Sequence, residues 1–217
     1  MLLFDIDVIL AKIKKKNKEF LEPAVTTISR ERTPFHVLIS CILSLRTKDQ
    51  TTREASERLF ATADNPEDMK RIPLQKLEEL IYPVGFYRRK AVNIKEICEA
   101  LTNDYKGKVP DEIDELLKLN GVGRKTANLV VSIGYKKPGI CVDVHVHRIT
   151  NRWGYIKTKN PTETEFALRK KLPKKYWLSI NDLLVTYGQN ICVPISPKCS
   201  LCPVNIYCKK VGVTRHR

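Results

Sequence analysis

Two groups of side chains in this sequence have types and spacings that could do chemistry: a lysine beside a glycine turn, and four cysteines in the last thirty residues. Lys125 follows the run Asn120-Gly121-Val122-Gly123, where two glycines permit backbone angles closed to other residues. A helix is predicted to start directly after this turn. Its first-turn amides, together with the bare backbone at Gly123, would form a small positive cup suited to one phosphate group.

The elements that must position Lys125 are two predicted helices, which form a hairpin around the glycine turn. Pro110 and Asp111 open the first helix, and its apolar side carries Ile113, Leu116 and Leu117. The second helix has a narrow apolar face made of Ala127, Val130, Val131 and Gly134. Packing of that face need not bury Lys125. From these residues alone, a non-catalytic DNA-binding hairpin with a solvated lysine explains the pattern as well as a catalytic one does.

The four C-terminal cysteines have the spacing C-x6-C-x2-C-x5-C, and they are Cys192, Cys199, Cys202 and Cys208. A loop of this length can wrap four thiolates around one centre. Four soft thiolates suit either a tetrahedral zinc ion or a [4Fe-4S] cluster, so ligand chemistry leaves both open. The remaining cysteines stand alone in apolar settings and are predicted to belong to the core; they are Cys41, Cys98 and Cys141.

The composition indicates a polyanionic partner. Lys and Arg outnumber Asp and Glu by 39 to 24 in 217 residues, which gives a net charge of +15. That charge alone suits DNA, ribosomal RNA or an anionic membrane surface. No apolar run is long enough to span a bilayer, and the acidic Asp5 disfavours a signal peptide. We therefore expect an intracellular protein, cytoplasmic or associated with the nucleoid, in which cysteines bind metal rather than form disulfides.

The rest of the chain predicts an all-α protein, because no alternating strand pattern of any length occurs. Residues 4 to 21 predict an amphipathic helix, with Leu21 on its apolar side and lysines on a solvated side. Residues 35 to 43 are apolar almost all round, which indicates a buried helix. Further helices are predicted at 50–62, 74–82, 87–105, 142–153 and 176–189, with one more after Asn160-Pro161.

Two polar loops are candidates for contacts with a ligand. One is the run from Ser44 to Gln50, directly after the buried helix. The other is the turn Val84-Gly85-Phe86-Tyr87, which is followed by three cations, Arg88, Arg89 and Lys90. Two aromatics at a glycine turn beside cations are what a wedge into stacked bases would require. The alternative is a hydrophobic staple on the next helix with the three cations solvated.

The hairpin run Leu-x-Gly-Val-Gly-x-Lys-Thr-Ala, followed by Val-Asp-x-His, resembles the helix-hairpin-helix motif of the endonuclease III family of DNA glycosylases. The matching positions are Leu119, Gly121, Val122, Gly123, Lys125, Thr126, Ala127, Val142, Asp143 and His145. The resemblance implies that Lys125 is the nucleophile and Asp143 its catalytic partner. The cysteine spacing is similar to that family's iron-sulfur loop, which implies a [4Fe-4S] cluster on Cys192, Cys199, Cys202 and Cys208.

The resemblance also implies DNA contacts. In the hairpin these are Gly121, Gly123 and Arg124. Arg46 stands where the family commonly carries the Gln that fills the gap left by an extruded base, and Phe86 matches an apolar intercalating residue. His145 would contact phosphate or orient Asp143; a structural histidine is the alternative.

The fold that the resemblance implies is all-α and two-lobed. Residues 1–26 plus 137–217 would form the iron-sulfur lobe. Residues 27–136 would form a helical barrel lobe with the helix-hairpin-helix at about 111–134. Lys125 and Asp143 would lie on opposite lips of a DNA cleft between the lobes.

The implied function is base excision repair by a bifunctional DNA glycosylase and AP lyase. Its partner would be double-stranded DNA containing oxidised pyrimidines or abasic sites, and it would act as a monomer. A lysine Schiff base would permit strand cleavage by β-elimination. Two alternatives remain: a thymine or uracil mismatch glycosylase, and a non-catalytic DNA-binding module with a zinc-ribbon tail.

Overall fold

The computed structural model describes residues 4–20 and 33–217, and these residues contain helices and no strand. In chain order the helices are α1 (Ile6–Asn17), α2 (Pro34–Ser44), α3 (Asp49–Thr62), α4 (Pro66–Arg71), α5 (Leu74–Ile81), α6 (Tyr87–Asp104), α7 (Ile113–Leu116), α8 (Arg124–Leu129), α9 (Val144–Arg152), α10 (Pro161–Lys171) and α11 (Ile180–Asn190). A π-helical turn, Val130–Gly134, continues α8. The predicted all-α class is confirmed.

The chain divides into two compact units, one made of Met1–Pro23 with Ile140–Arg217 and the other of Ala24–Gly139. The expected lobe boundary at residues 26 and 27, and the predicted apolar position Leu21, lie outside the described residues. No helix within 4–20 and 33–217 combines the length and the apolar character that crossing a membrane requires.

In the first unit, α1 is amphipathic as predicted. Ile9, Leu10 and Ile13 are buried, whereas most lysines of the helix are exposed. Asp5 begins the helix by accepting a hydrogen bond from the Asp7 amide at 2.8 Å. The buried face of α1 joins a core that includes residues of α9, α10 and α11, with Trp153 and Tyr187 as its largest fully buried side chains.

Two predicted helix starts in this unit are wrong by a few residues. The helix predicted from residue 142 starts at Val144, because the Asp143 carboxylate caps it from outside. The helix predicted from residue 176 starts at Ile180, because Lys174–Tyr176 forms a separate 3₁₀ turn. The predicted cap at Asn160 is confirmed, since its side chain accepts a hydrogen bond from the Glu163 amide at 2.9 Å.

In the second unit, α2 is the central helix. Every residue from Phe35 to Leu43 is buried, which confirms the prediction for residues 35 to 43. The helix packs against α3, α6, α8 and the π-helical turn. Helices α3, α5 and α6 begin and end within one residue of their predicted bounds. The predictions missed α4, which Asn65 caps.

The first helix of the predicted hairpin is shorter than expected. It begins at Ile113 rather than at Pro110 and Asp111, and α7 is a single turn. Glu112 is extended, with φ −112° and ψ 139°. The Lys137 ammonium holds this segment by ion pairs to Asp111 at 2.8 Å and to Glu112 at 3.0 Å, which ties it to the residues after α8.

Candidate active site and cysteine site

The glycine turn before α8 confirms one of the two glycine predictions. Gly121 has φ +76°, a conformation that favours glycine. Gly123 has φ −97°, which any residue adopts, so the expectation that its backbone angle requires glycine is wrong. A Cβ built on Gly123 would meet no atom within 4 Å. The backbone here therefore faces open space, where a side chain would cover the surface that a phosphate could approach.

The hairpin is anchored by packing, as predicted. Ala127, Val130 and Val131 are buried. A Cβ on Gly134 would lie 3.0 Å from Pro34 Cα, so glycine permits the π-helical turn to approach the start of α2 closely. The Tyr135 hydroxyl donates to the carbonyl of Val109. These contacts fix the backbone that carries the second residue of α8, which is Lys125.

Lys125 itself is exposed. Burial raises the pKa of Cys41 in α2 to about 12, and the positive charge of Lys125 opposes that rise. Lys125 is carried by α8, which packs against α2. The residue combines a rigid backbone with an accessible side chain, which is the arrangement required of a lysine that reacts with a macromolecule.

Asp143 is buried and caps α9. Its Oδ1 accepts hydrogen bonds from the amides of His145 at 2.8 Å and Val146 at 3.0 Å. Two amide donors on one oxygen fix the orientation of the carboxylate. The downstream Val-Asp-x-His run therefore corresponds to a helix start whose capping residue is an oriented acid.

His145 is half-buried and bonded within the fold. Its Nδ1 accepts from the Arg148 guanidinium at 2.9 Å, and a Cβ on Gly188 would lie 2.5 Å from the same nitrogen. Arg148 also donates to the carbonyls of Gly188 and Cys192. These contacts favour the structural alternative for this histidine, and its contact with DNA stays a prediction.

The structure brings Arg46 and Phe86 together, although they lie 40 positions apart. Both are exposed, and the Arg46 guanidinium carbon lies 5.8 Å from the centre of the Phe86 ring. Both have left-handed backbones, with φ +53° and φ +59° respectively. Beside them, Tyr87 packs edge-on against Tyr82, with ring centres 5.4 Å apart.

Of the three cations predicted to follow the wedge, Arg88 and Arg89 are exposed, but Lys90 is not. Its exposed fraction is 5%, so the prediction that all three cations lie at the surface is wrong for Lys90. The helical spacing contained the missing signal, because residue 90 falls on the same stripe as the buried Ile94, Ile97 and Leu101.

The four C-terminal cysteines line one cavity, and none of them forms a disulfide. Donors surround the sulfur atoms. The Tyr187 hydroxyl lies 2.8 Å from Cys202 Sγ, an Arg152 NH group donates to Cys192 Sγ at 3.4 Å, and the Lys210 amide donates to Cys208 Sγ at 3.4 Å. The other three cysteines are buried, as predicted.

The residues present fit a group that binds thiolates. Burial raises the pKa of Cys199, Cys202 and Cys208, the last to about 11, and charge on neighbouring cysteines adds to the rise. The cavity therefore favours protonated thiols until a cationic group replaces their protons. Among the described residues, no three His, Cys, Asp or Glu side chains converge on a position for one metal ion. The fit to a thiolate-binding group therefore rests on the cavity that the four cysteines share and on the donors around their sulfur atoms.

The comparisons with known proteins agree with this fold. Residues 39–174 match the model of the HhH-GPD superfamily of base excision DNA repair proteins. The chain is 48% identical over 180 residues to endonuclease III of Thermotoga maritima, covering 83% of this chain and 84% of that protein. It is 38% identical over 178 residues to endonuclease III of Bacillus subtilis, covering 82% and 81%.

Among solved structures, a trapped endonuclease III–DNA covalent intermediate superposes with a TM-score of 0.84 at 36% identity, covering 97% of each chain. The fold and the hairpin thus define a helix-hairpin-helix protein of base excision repair. Within that class, the chain belongs to the endonuclease III family. The predicted enzyme class, a DNA glycosylase and abasic-site lyase, is confirmed.

Proposed function

We propose that this protein removes oxidised pyrimidine bases from double-stranded DNA and cleaves the resulting abasic strand by β-elimination. The observation that carries the proposal is Lys125, an exposed lysine on a rigid helix directly after the glycine turn. The relative with 36% identity was solved as a covalent intermediate with DNA, which supports covalent chemistry here. The proposed partner is damaged duplex DNA, and the proposed working form is a monomer. The proposed place of action is inside the cell, in the cytoplasm or associated with the nucleoid.

The first step is extrusion of the damaged nucleotide, since its C1′ atom is inaccessible inside the base stack. Extrusion costs a few kcal/mol and is least costly at a damaged base. Phe86 would enter the stack, and Arg46 would contact the base left without a partner. The hairpin residues Gly121, Gly123 and Arg124 would hold the adjacent phosphate.

The second step uses the Lys125 amine. Its nitrogen forms a bond to C1′ while the bond from C1′ to the base breaks, and the electron pair leaves with the base, which takes up a proton. The bond from C1′ to the ring oxygen O4′ then breaks, and O4′ takes up a proton and stays on C4′ as a hydroxyl. The opened sugar is joined to Lys125 by an imine, the usual covalent product of a reactive lysine. The imine acidifies the C2′ hydrogen, and its removal expels the 3′ phosphate, which cleaves the strand.

The amine must be unprotonated to attack. DNA that covers Lys125 would remove water from it, and desolvation favours the neutral amine. Asp143 has a different role, since an anion near an amine favours the ammonium form. We assign to its carboxylate the stabilisation of positive charge at C1′ during base departure, together with proton transfer.

The experiment that tests the proposed function is a lesion panel. Duplexes carrying an oxidised pyrimidine, a uracil, a mismatched thymine or a preformed abasic site would be incubated with the protein and with Lys125→Ala. We expect base release and nicking for the oxidised pyrimidine, nicking at the abasic site, and neither with Lys125→Ala. Release of only mismatched thymine or uracil would instead support the mismatch alternative.

We further propose that Cys192, Cys199, Cys202 and Cys208 hold a [4Fe-4S] cluster. When bound, the group supplies four iron atoms that tie together the loop from Cys192 to Cys208. On the protein side, α9 secures this loop. Arg152 donates to the carbonyls of Val193 at 2.7 Å and Pro194 at 2.6 Å, and to Cys192 Sγ.

Loss of one ligand will test the cluster. Cys202→Ser should lower the bound iron and sulfide, remove the brown colour and destabilise the unit that contains the loop. Cys98→Ala is the control, because Cys98 is a buried cysteine of the other unit and its loss should leave iron content unchanged. Iron and sulfide analysis beside thermal unfolding measures both effects. Full iron content in Cys202→Ser, or zinc in the unmodified protein, would contradict the proposal.

Arg46→Gln should alter the preference for the opposite base. A guanidinium only donates hydrogen bonds and pairs well with guanine, whereas a Gln amide pairs with adenine. We expect the ratio of kcat/KM for one lesion opposite guanine to that opposite adenine to fall about tenfold. Lys48→Gln, which removes an exposed cation two residues away, should leave the ratio unchanged. The same change of ratio in both variants would contradict a base contact by Arg46.

A further inference from the structure

Lys90 lies in the first turn of α6, and its ammonium is directed into the fold. Its Nζ donates to the carbonyl of Leu43 at 2.8 Å, to the hydroxyl of Thr47 at 3.1 Å and to the carbonyl of Leu45. An ammonium has three protons, so these acceptors match its full donor capacity. All three lie within five consecutive residues at the end of α2.

The acceptors explain why a buried lysine is tolerated here. The last carbonyls of a helix have no partner within it and carry partial negative charge. A cation at this end is therefore favourable, and its desolvation is offset because each proton is hydrogen-bonded. Burial lowers the pKa of Lys90 to about 8, so the side chain is still an ammonium at neutral pH.

A second set of contacts joins the same loop to the turn before α6. The Gly85 amide donates to the Thr47 hydroxyl at 3.2 Å, and this hydroxyl donates to the Leu45 carbonyl at 3.2 Å. A Cβ on Gly85 would lie 2.6 Å from the Arg46 carbonyl oxygen, so only glycine allows this approach. The Lys90 amide donates to the Phe86 carbonyl at 3.0 Å. Lys90 thus contacts both the loop at residues 43–47 and the turn at residues 85–86.

The two residues held between these contacts are Arg46 and Phe86. Both have positive φ, which costs free energy for residues other than glycine and persists where the surroundings determine the backbone. We infer that Lys90 is a positioning residue that fixes residues 43–47 against the turn at 85–86, so that Arg46 and Phe86 meet DNA as one preset pair. This inference rests on the proposed function, in which that pair occupies the emptied site.

Lys90→Met tests the inference, because methionine is unbranched and apolar and cannot donate to the three acceptors. Lys95→Met is the matched control. Lys95 lies on the same helix and its ammonium also donates to backbone carbonyls, those of Lys70 and Ile72, but neither belongs to the Arg46 loop or the Phe86 turn. Chemical unfolding of both variants would show whether they lose comparable stability.

The readout is equilibrium binding to duplexes that contain a stable tetrahydrofuran abasic analogue opposite each of the four bases. For the unmodified protein and for Lys95→Met, we expect the dissociation constants to differ by about fivefold or more between the best and the worst opposite base. For Lys90→Met we expect a difference of less than about twofold. Arg46→Ala should lower binding in the Lys95→Met background but change little in the Lys90→Met background, because coupled residues are not additive. A lysine that contributes only to stability would leave the effect of Arg46→Ala on binding unchanged.

Should Lys90→Met not fold, Thr47→Val removes the hydroxyl that joins the two segments while keeping the side-chain shape, and it should reduce discrimination in the same way. Any of three results would overturn the inference. These are full discrimination in Lys90→Met or in Thr47→Val, an equal loss of discrimination in Lys90→Met and Lys95→Met, and no discrimination by the unmodified protein. The analogue cannot be excised, so this result is separate from the proposed function. Absence of base release on the lesion panel would refute the function and leave the binding result standing.

Discussion

Lys125→Gln will abolish strand cleavage at abasic sites and base release from oxidised pyrimidines, with a loss of at least about 10³-fold in rate. The amide nitrogen of Gln is not nucleophilic and cannot form an imine. Affinity for duplex DNA should fall by less than about threefold, because one exposed cation supplies a small part of the attraction of a chain with net charge +15. Single-turnover kinetics and equilibrium binding on the same duplex measure the two effects.

The matched control for this variant is Lys118→Gln. Lys118 is exposed on the segment before the glycine turn, where its ammonium pairs with Glu115 at 2.6 Å. Lys118→Gln removes the same charge as Lys125→Gln does. It should retain wild-type cleavage. Substantial cleavage by Lys125→Gln, or an equal loss in both variants, would show that Lys125 contributes only charge.

Asp143→Asn will separate the chemical role of this residue from its structural one. Asn caps a helix about as well as Asp does, so the change in free energy of unfolding should stay within about 0.5 kcal/mol. The negative charge is lost, however, and the rate of base release should fall by about 10²–10³-fold. Asp143→Ala should lose activity and, in addition, about 1 kcal/mol of stability. Unfolding curves beside single-turnover base release provide the measurement.

Asp5→Asn is the control for the capping function. Asp5 also caps a helix through Oδ1, with bonds to the amides of Asp7 and Val8, and it is exposed. Its replacement should change neither stability nor activity appreciably. If Asp143→Asn keeps full activity, the residue is a helix cap and its assignment as the catalytic partner of Lys125 is wrong.

Much of the fold was predictable because its local patterns agree with its packing. The buried α2 follows from nine successive residues that leave no polar side, and α10 from Asn160 followed by Pro161. The glycine hairpin followed from Gly121, whose positive φ requires the residue that the sequence supplies. In these segments the local sequence preference and the tertiary environment favour the same structure.

Two of the errors occur where a distant contact determines the structure. The run Arg88-Arg89-Lys90 reads as three equivalent surface cations, yet Lys90 is buried and its ammonium donates to carbonyls at the end of α2. The late start of α7 has a similar cause, since Lys137 pairs with Asp111 and Glu112 and holds them outside the helix. Neither partner is adjacent in sequence, so no local pattern predicts the pairing.

The candidate site also contains some features that local patterns predict and others that depend on distant contacts. Lys125 and the four cysteines could be selected from their spacing, because a hairpin and a ligand loop are local motifs. The pairing of Arg46 with Phe86 could not, since it depends on Thr47, Gly85 and Lys90 bringing two loops together. The sequence also does not show that Asp143 is fixed by two amide bonds, which becomes evident only once the start of α9 is known.

The central claim is that the Lys125 side-chain nitrogen becomes bonded to the sugar of the damaged nucleotide. Borohydride reduction during turnover, followed by proteolysis and mass spectrometry of the DNA-linked peptide, tests it directly. The predicted result is one stable adduct in which the DNA remnant is attached to Lys125. Base release and strand cleavage without any adduct, or an adduct carried by another lysine or by the N-terminal amine, would contradict it.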